Sequence, residues 1–180
     1  ITLTTTPTAL TPPVGAQVTP VETAKQMLEA VLSESSKSDA LIMAAAVADF
    51  RPSNVAKDKI KKEGGIPQIT LEATEDILKT VAEQRPAKKF PRVVVGFAAE
   101  SRDLLENAAH KLKSKGLDFI AANDISASGA GFAVDTNRVT LLFADGRNES
   151  LPLMSKTEVA EVILGWVSKL LESYAHSGNL

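Results

Sequence analysis

The sequence predicts an α/β fold built on a mostly parallel sheet flanked by helices. Apolar runs of strand length recur along the chain: "ITLT" at 1–4, "ALIMAAAV" at 40–47, "RVVVGFA" at 92–98 and "DFIAAN" at 118–123. Segments of helical period separate them, and that alternation is the mark of βαβ units, here of a Rossmann-like sheet. The stretch "RVTLLFADGRNESLPL" is different, because two strand-like runs flank Asp145-Gly146, a turn pair suited to a β-hairpin extension.

The helices can be placed by their starts. Thr23 with Gln26 three residues on reads as a capping box opening a helix with Ala24, Met27, Leu28, Val31 and Leu32 on one face. Residues 75–84 and 101–115 predict two more helices. Ser155 with Glu158 caps a last amphipathic one, carrying Val159, Val162, Ile163, Trp166 and Leu170. The chain shows no internal repeat, low-complexity tract or linker, so residues 1–180 are expected to form a single domain.

Composition narrows the partners. With 180 residues, 44% of them hydrophobic, the chain is long enough for a real core, and a net charge of -2 supplies no field to gather nucleic acid or an anionic membrane. Cysteine is absent, which removes a thiol nucleophile, a disulfide frame and a thiolate metal site; two scattered histidines do not make a histidine-rich one. The longest apolar run, residues 41–48, is too short to span a bilayer, and no charged-then-apolar leader opens the sequence. A cytoplasmic location is expected.

In open α/β sheets ligands sit outside the carboxyl ends of the strands, which directs attention to residues 45–49, 96–100 and 123–124. The run of Ala44, Ala45, Ala46 and Ala48 leaves the backbone almost bare just before Asp49. Asp49 suits a ribose hydroxyl or a cation held through water, and equally a turn cap or a partner for Arg51. Phe97 suits a base platform or the core. Lys57, Lys59 and Lys61 alternate in a segment bounded by Pro52 and Gly64-Gly65. Such a segment is either a solvated loop or a flap whose ammonium groups meet phosphate charge. On the third predicted helix Lys115 and Lys111 fall at roughly 20° and 340° from Leu104, taking about 100° per residue, and so flank the apolar stripe. Their stems cover the core, or their charges reach a phosphate at the sheet edge.

Taken in order, "AAAVADFRP", "KIKK", "TEDIL", "VVGFAAES" and "AANDIS" with "GF..D.N.VTL" resemble the phosphopantothenate-cysteine ligase (phosphopantothenoylcysteine synthetase) domain of the bacterial bifunctional coenzyme A biosynthesis proteins, from near residue 1 to about residue 154. The resemblance implies a reaction in which the carboxylate of 4'-phosphopantothenate and CTP form an acyl-cytidylate with release of pyrophosphate. The amine of cysteine then attacks the acyl carbon, and Mg2+ assists. It implies that Met43, Ala44, Ala45 and Asp49 hold the nucleotide, that Lys59 is the catalytic flap lysine over the triphosphate, and that Phe97 lies beside the nucleotide. Glu75, Asp76, Ile77, Leu78, Lys111 and Lys115 complete that site; metal ligands stay unassigned. A homodimer formed through residues 123–152, including the hairpin, is implied, as is a flavin-dependent decarboxylase domain fused to or assembled with this one.

Two departures accompany the resemblance. Where the family often has Asn-Pro-Asp-Ile, the chain has Thr74-Glu75-Asp76-Ile77. The family's opening Gly-rich strand and loop, with an Asn that steadies the acyl intermediate, has no counterpart here, so a truncated domain, inactive alone, is expected. A nucleotide-binding fragment or dimeric scaffold without turnover is the alternative, and a dinucleotide-dependent oxidoreductase lacks its G-x-G-x-x-G fingerprint.

Overall fold

The computed structural model describes residues 1–56, 58–61, 66–100, 103–124 and 134–177. In chain order the elements are β1 (Thr2–Thr5), β2 (Gln17–Pro20), α1 (Ala24–Ser35), β3 (Ala40–Met43), β4 (Phe50–Pro52), β5 (Leu71–Ala73), α2 (Ile77–Lys88), β6 (Val93–Glu100), α3 (Leu104–Ser114), β7 (Phe119–Asp124), β8 (Thr136–Asn137), β9 (Val139–Phe143), β10 (Asn148–Ser150), β11 (Met154–Ser155) and α4 (Lys156–Ser177). They form two compact units, one of Ile1–Val31 with Ala46–Ile77, the other of Leu32–Ala45 with Leu78–Leu180.

The second unit holds the central sheet, in the order β10-β9-β7-β6-β3. β3, β6 and β7 run parallel, and β9 joins β7 antiparallel. This is the expected α/β class with a mostly parallel sheet. Val93, Val95, Phe119, Ala121, Val139, Leu141 and Phe143 share one face and pack with Val159, Ile163 and Val167 of α4. Side chains alternate along a strand, so Val94, Ile120 and Leu142 face the other way. Leu78 of α2 and Leu117 after α3 cover that face at Gly96. Burying each large side chain on either face contributes about 1.5–3 kcal/mol.

The capping signals hold. Thr23 Oγ1 accepts from the Gln26 amide at 3.1 Å, and Gln26 Oε1 accepts from the Thr23 amide at 3.1 Å. Ser155 and Glu158 repeat the exchange ahead of α4, at 3.2 Å from the Glu158 amide and 2.8 Å from the Ser155 amide. Val159 and Ile163 of the predicted face are buried, as is Val167, which the sequence reading omitted. The Asp145-Gly146 hairpin forms as well, with Gly146 at φ 89°, a conformation glycine adopts without steric cost.

Several expectations are corrected. The first apolar run is not a buried strand of the central sheet: β1 is half-buried and pairs in parallel with β2, a two-stranded sheet of the first unit. β2 went unread because "QVTP" is mostly exposed and ends in proline. The run at 40–47 is a strand only as far as Met43, since alanines have little to bury and the sheet partner β6 pairs no farther along it. The hairpin, by contrast, is the expected extension of the sheet, with β9 paired to β7 and β10 to β9. On α3, Leu105 is exposed, while Ala108 and Leu112 are buried. Ser101 and residues 125–133 lie outside the described residues. Among the described residues, no helix is long and apolar enough to cross a membrane.

Candidate functional site

In the first unit, β4 and β5 form an antiparallel ribbon pairing Phe50 with Ala73 and Pro52 with Leu71. Arg51 is spent on this ribbon, bonding Glu72 at 2.7 Å. The alternative in which it neutralises Asp49 is therefore not what the structure shows. Thr74 closes the ribbon end: its amide donates to the Asp49 carbonyl at 2.9 Å, and its hydroxyl donates to the Ala48 carbonyl at 2.6 Å. Asp49 is thereby held against Thr74, the residue that immediately precedes the Glu75-Asp76 pair where the chain enters α2. Asp49, Glu75 and Asp76 are all exposed, and Ile77 is buried.

Lys59 also belongs to this unit. It is exposed and lies in a stretch without regular structure, as does Lys61, in keeping with a loop rather than a helix. Lys57, Lys62, Gly64 and Gly65, part of the expected flap, lie outside the described residues.

In the second unit, Met43 ends β3 and stands in register with Gly96 of β6, directly before Phe97. Phe97 is 36% exposed, so it is not the fully buried core aromatic that was the alternative. Leu78 is buried over Gly96: a Cβ built there would come 3.7 Å from one Leu78 methyl and 2.6 Å from one Leu117 methyl. Glycine at 96 is what lets α2 and the α3–β7 turn approach the sheet behind Phe97. Ala44 and Ala45 are exposed, which means that their small size serves no packing there and leaves the backbone accessible. Lys111 and Lys115 are half-buried, one helical turn apart, as their place on the edge of the stripe predicted.

The structure thus gathers Asp49, Glu75 and Asp76 in one unit and Met43, Leu78 and Phe97 in the other. Sequence reasoning missed Thr74 and Gly96 as shaping residues. Thr74 stands out in the sequence only as a departure from Asn, and Gly96 signals itself as a lone glycine inside a strand pattern. No group of three or more metal-ligating side chains converges among the described residues.

Comparison with known proteins decides the family. Residues 1–171 match the family described as DNA/pantothenate metabolism flavoprotein C-terminal domain. The chain belongs to that family. It is 47% identical over 165 residues to the coenzyme A biosynthesis bifunctional protein CoaBC of Bacillus subtilis, covering 91% of this chain and 40% of that protein. To the CoaBC of Mycobacterium tuberculosis it is 41% identical over 162 residues, covering 86% and 38%. The chain therefore spans about two fifths of the length of these curated relatives. Among solved structures, the C-terminal domain of a CoaBC protein superposes with a TM-score of 0.77 at 38% identity, over 96% of this chain and 74% of that one. A DNA/pantothenate metabolism flavoprotein from Streptococcus pneumoniae, 21% identical over 93% of this chain and 80% of its own, shares the fold with a TM-score of 0.75. For this flavoprotein C-terminal domain family, the motif-based resemblance and the comparisons agree on the part of the relatives concerned: the C-terminal domain of a coenzyme A biosynthesis protein.

Proposed function

We propose that this domain is a CTP-dependent phosphopantothenate-cysteine ligase of coenzyme A biosynthesis. A carboxylate resists attack by an amine because its leaving group would be oxide. In the proposed reaction one carboxylate oxygen of 4'-phosphopantothenate attacks the α-phosphorus of CTP and pyrophosphate departs, leaving a mixed anhydride with CMP. The amine of cysteine then attacks the acyl carbon, CMP leaves with the anhydride oxygen, the nitrogen loses a proton, and the amide remains.

The residue roles are those that the family resemblance implies, and the chemistry of each side chain suits them. The bare backbone at Met43, Ala44 and Ala45 and the exposed face of Phe97 receive the nucleoside, with Asp49 accepting hydrogen bonds from hydroxyl groups. Glu75, Asp76, Ile77 and Leu78 are likewise assigned to nucleotide binding. Lys59 meets the charge that builds on departing pyrophosphate, and Lys111 and Lys115 add positive charge towards the phosphates. Mg2+, carried mainly by the triphosphate with at most one or two carboxylates, would neutralise that charge further. Asp49, Glu75 and Asp76 are the described carboxylates suited to such a role.

The observation that carries this reading is the family match over residues 1–171, within which every assigned residue falls. The homodimer, the cytoplasmic location and the flavin-dependent decarboxylase partner belong to the same proposal. The test is to incubate a protein containing this domain with phosphopantothenate, CTP, Mg2+ and cysteine and follow pyrophosphate and product by mass spectrometry. Absence of the amide product would overturn the assignment.

A further inference from the structure

At the amino ends of β6 and β7, away from the carboxyl end of β3, the second unit carries a cleft of about 540 Å3. That is an ordinary size for a small-molecule site. Ala82, Pro86 and the ring of Tyr174 give it apolar walls, and Arg85, Lys89 and Arg92 give it cations against a single acid, Asp118.

The acid is already neutralised. Asp118 Oδ2 pairs with Arg85 at 2.8 Å and accepts from the Val94 amide at 2.7 Å, while Tyr174 donates its hydroxyl to Oδ1 at 3.4 Å. Arg85 is equally spent, for it also donates to the Gly116 carbonyl at 3.4 Å and to the Arg92 carbonyl. Arg92 meets Asp39 through Nε and Nη2, and that carboxylate is 56% exposed. Lys89 makes no side-chain hydrogen bond or ion pair among the described residues. The uncompensated charge of the cleft is therefore positive and centred on Lys89.

The backbone points to the same residue. Lys89 sits just past α2 at φ 59°, with its amide donating to the Arg85 carbonyl at 2.8 Å. Glycine is the default at a left-handed helix end, and a side chain there is strained. A cation does suit a helix carboxyl end, but Arg85 and Lys88 already supply that in the last turn. The chain thus tolerates a strained lysine where it lines a concave, electropositive surface, and such strain collects at functional sites.

We propose that this cleft is a binding site for a small organic anion: a single carboxylate or phosphate monoester on an apolar body. Lys89 and Arg92 hold the anionic head, and Ala82, Pro86 and the Tyr174 ring take the body. The proposal is independent of the nucleotide reading, since none of these residues is assigned to that site.

The test uses the 180-residue chain labelled for amide NMR and titrated with phenyl phosphate, benzoate, inorganic phosphate and benzyl alcohol. Saturable shifts at the amides of Lys89, Gly116 and Tyr174 are expected with phenyl phosphate, benzoate or both, in about the millimolar range. The two aromatic anions report which head group is preferred. Inorganic phosphate and benzyl alcohol, each lacking one half of the ligand, should bind more weakly than the better of the two. Lys89→Gln and Lys89→Gly should each weaken binding by about fivefold, the upper scale of an exposed ion pair. Lys89→Gly should do so with an unchanged or raised Tm, because glycine adopts this φ without strain. No saturable shift at these amides, binding undiminished in both Lys89 variants, or inorganic phosphate binding as tightly as phenyl phosphate would overturn the proposal.

Discussion

The hydroxyl of Thr74 donates to the carbonyl of Ala48 at 2.6 Å, and the amide of the same residue donates to the carbonyl of Asp49 at 2.9 Å. One side chain and one peptide thus fasten the alanine-rich turn to the segment that opens α2. Thr74→Val keeps the amide bond and removes the hydroxyl, and is expected to cost about 0.5–1.5 kcal/mol of local stability. Thr74→Ser should retain most of it. Hydrogen exchange at the Thr74 amide reads the effect without ligand, and a weakened nucleotide Kd in Thr74→Val alone would tie the strap to binding.

Lys59 is exposed and makes no hydrogen bond or ion pair among the described residues. Lys59→Gln should therefore leave Tm unchanged. In a turnover-competent protein containing this domain, the same change should slow acyl-cytidylate formation by an amount worth about 2.7–4 kcal/mol, with a smaller loss of CTP affinity. Rapid-quench measurement of pyrophosphate separates the two quantities. Equal losses of kcat and affinity for Lys59 and Lys61 alike would mean a diffuse electrostatic loop in place of a positioned lysine.

A Cβ at position 96 would lie 2.6 Å from a methyl of Leu117. Gly96→Ala is expected to destabilise by about 1–3 kcal/mol through overpacking. Because the clash is with one flexible side chain, Leu117→Ala in the same chain should give a loss smaller than the sum of the two single changes. Urea denaturation of the four proteins in the cycle measures this directly.

Ser155 holds the Glu158 carboxyl below its usual range by donating its hydroxyl at 2.7 Å and its amide at 2.8 Å. A carboxylate depressed on folding contributes stability that is full above its unfolded pKa and is lost as pH falls through the folded one. Fraying at the start of α4 should therefore increase as pH drops through and below the ordinary glutamate range. Glu158→Gln should flatten that dependence, as read from hydrogen exchange at residues 156–159. Ser155→Ala, which removes the cap itself, should cost about 1 kcal/mol at neutral pH.

Much of this fold was legible in the sequence because its signals are local. The Thr23–Gln26 and Ser155–Glu158 boxes and the Asp145-Gly146 turn each depend on neighbours within a few residues, and all formed as read. β6 and β7 were legible because burial on both faces requires near-continuous apolar runs. The failures share the opposite cause. Whether "ITLT" joins the central sheet is settled by where the chain pairs, and its partner, residues 17–20, has no apolar pattern to reveal it. Likewise β4 and β5 are three residues each, exposed, and joined across a long connection, so that only Arg51 meeting Glu72 exposes their register. At the candidate site, the bare alanines and the aromatic after Gly96 could be seen in sequence. The work of Thr74 could not, since a hydroxyl reaching a carbonyl 26 residues away leaves no local trace.

The proposed ligase reaction requires this domain to select a cytidine nucleotide. The most direct measurement is a thermal-shift titration of the chain with CTP, ATP, UTP and NADH, each with Mg2+. Ligand that binds only the folded state stabilises it by about 2.7 kcal/mol at a hundred times its Kd, which moves Tm by several degrees. Such selection gives a saturable rise with CTP that exceeds the rise with ATP or UTP, and none with NADH. A response to NADH equal to that to CTP, or no response to CTP at any concentration, would contradict it.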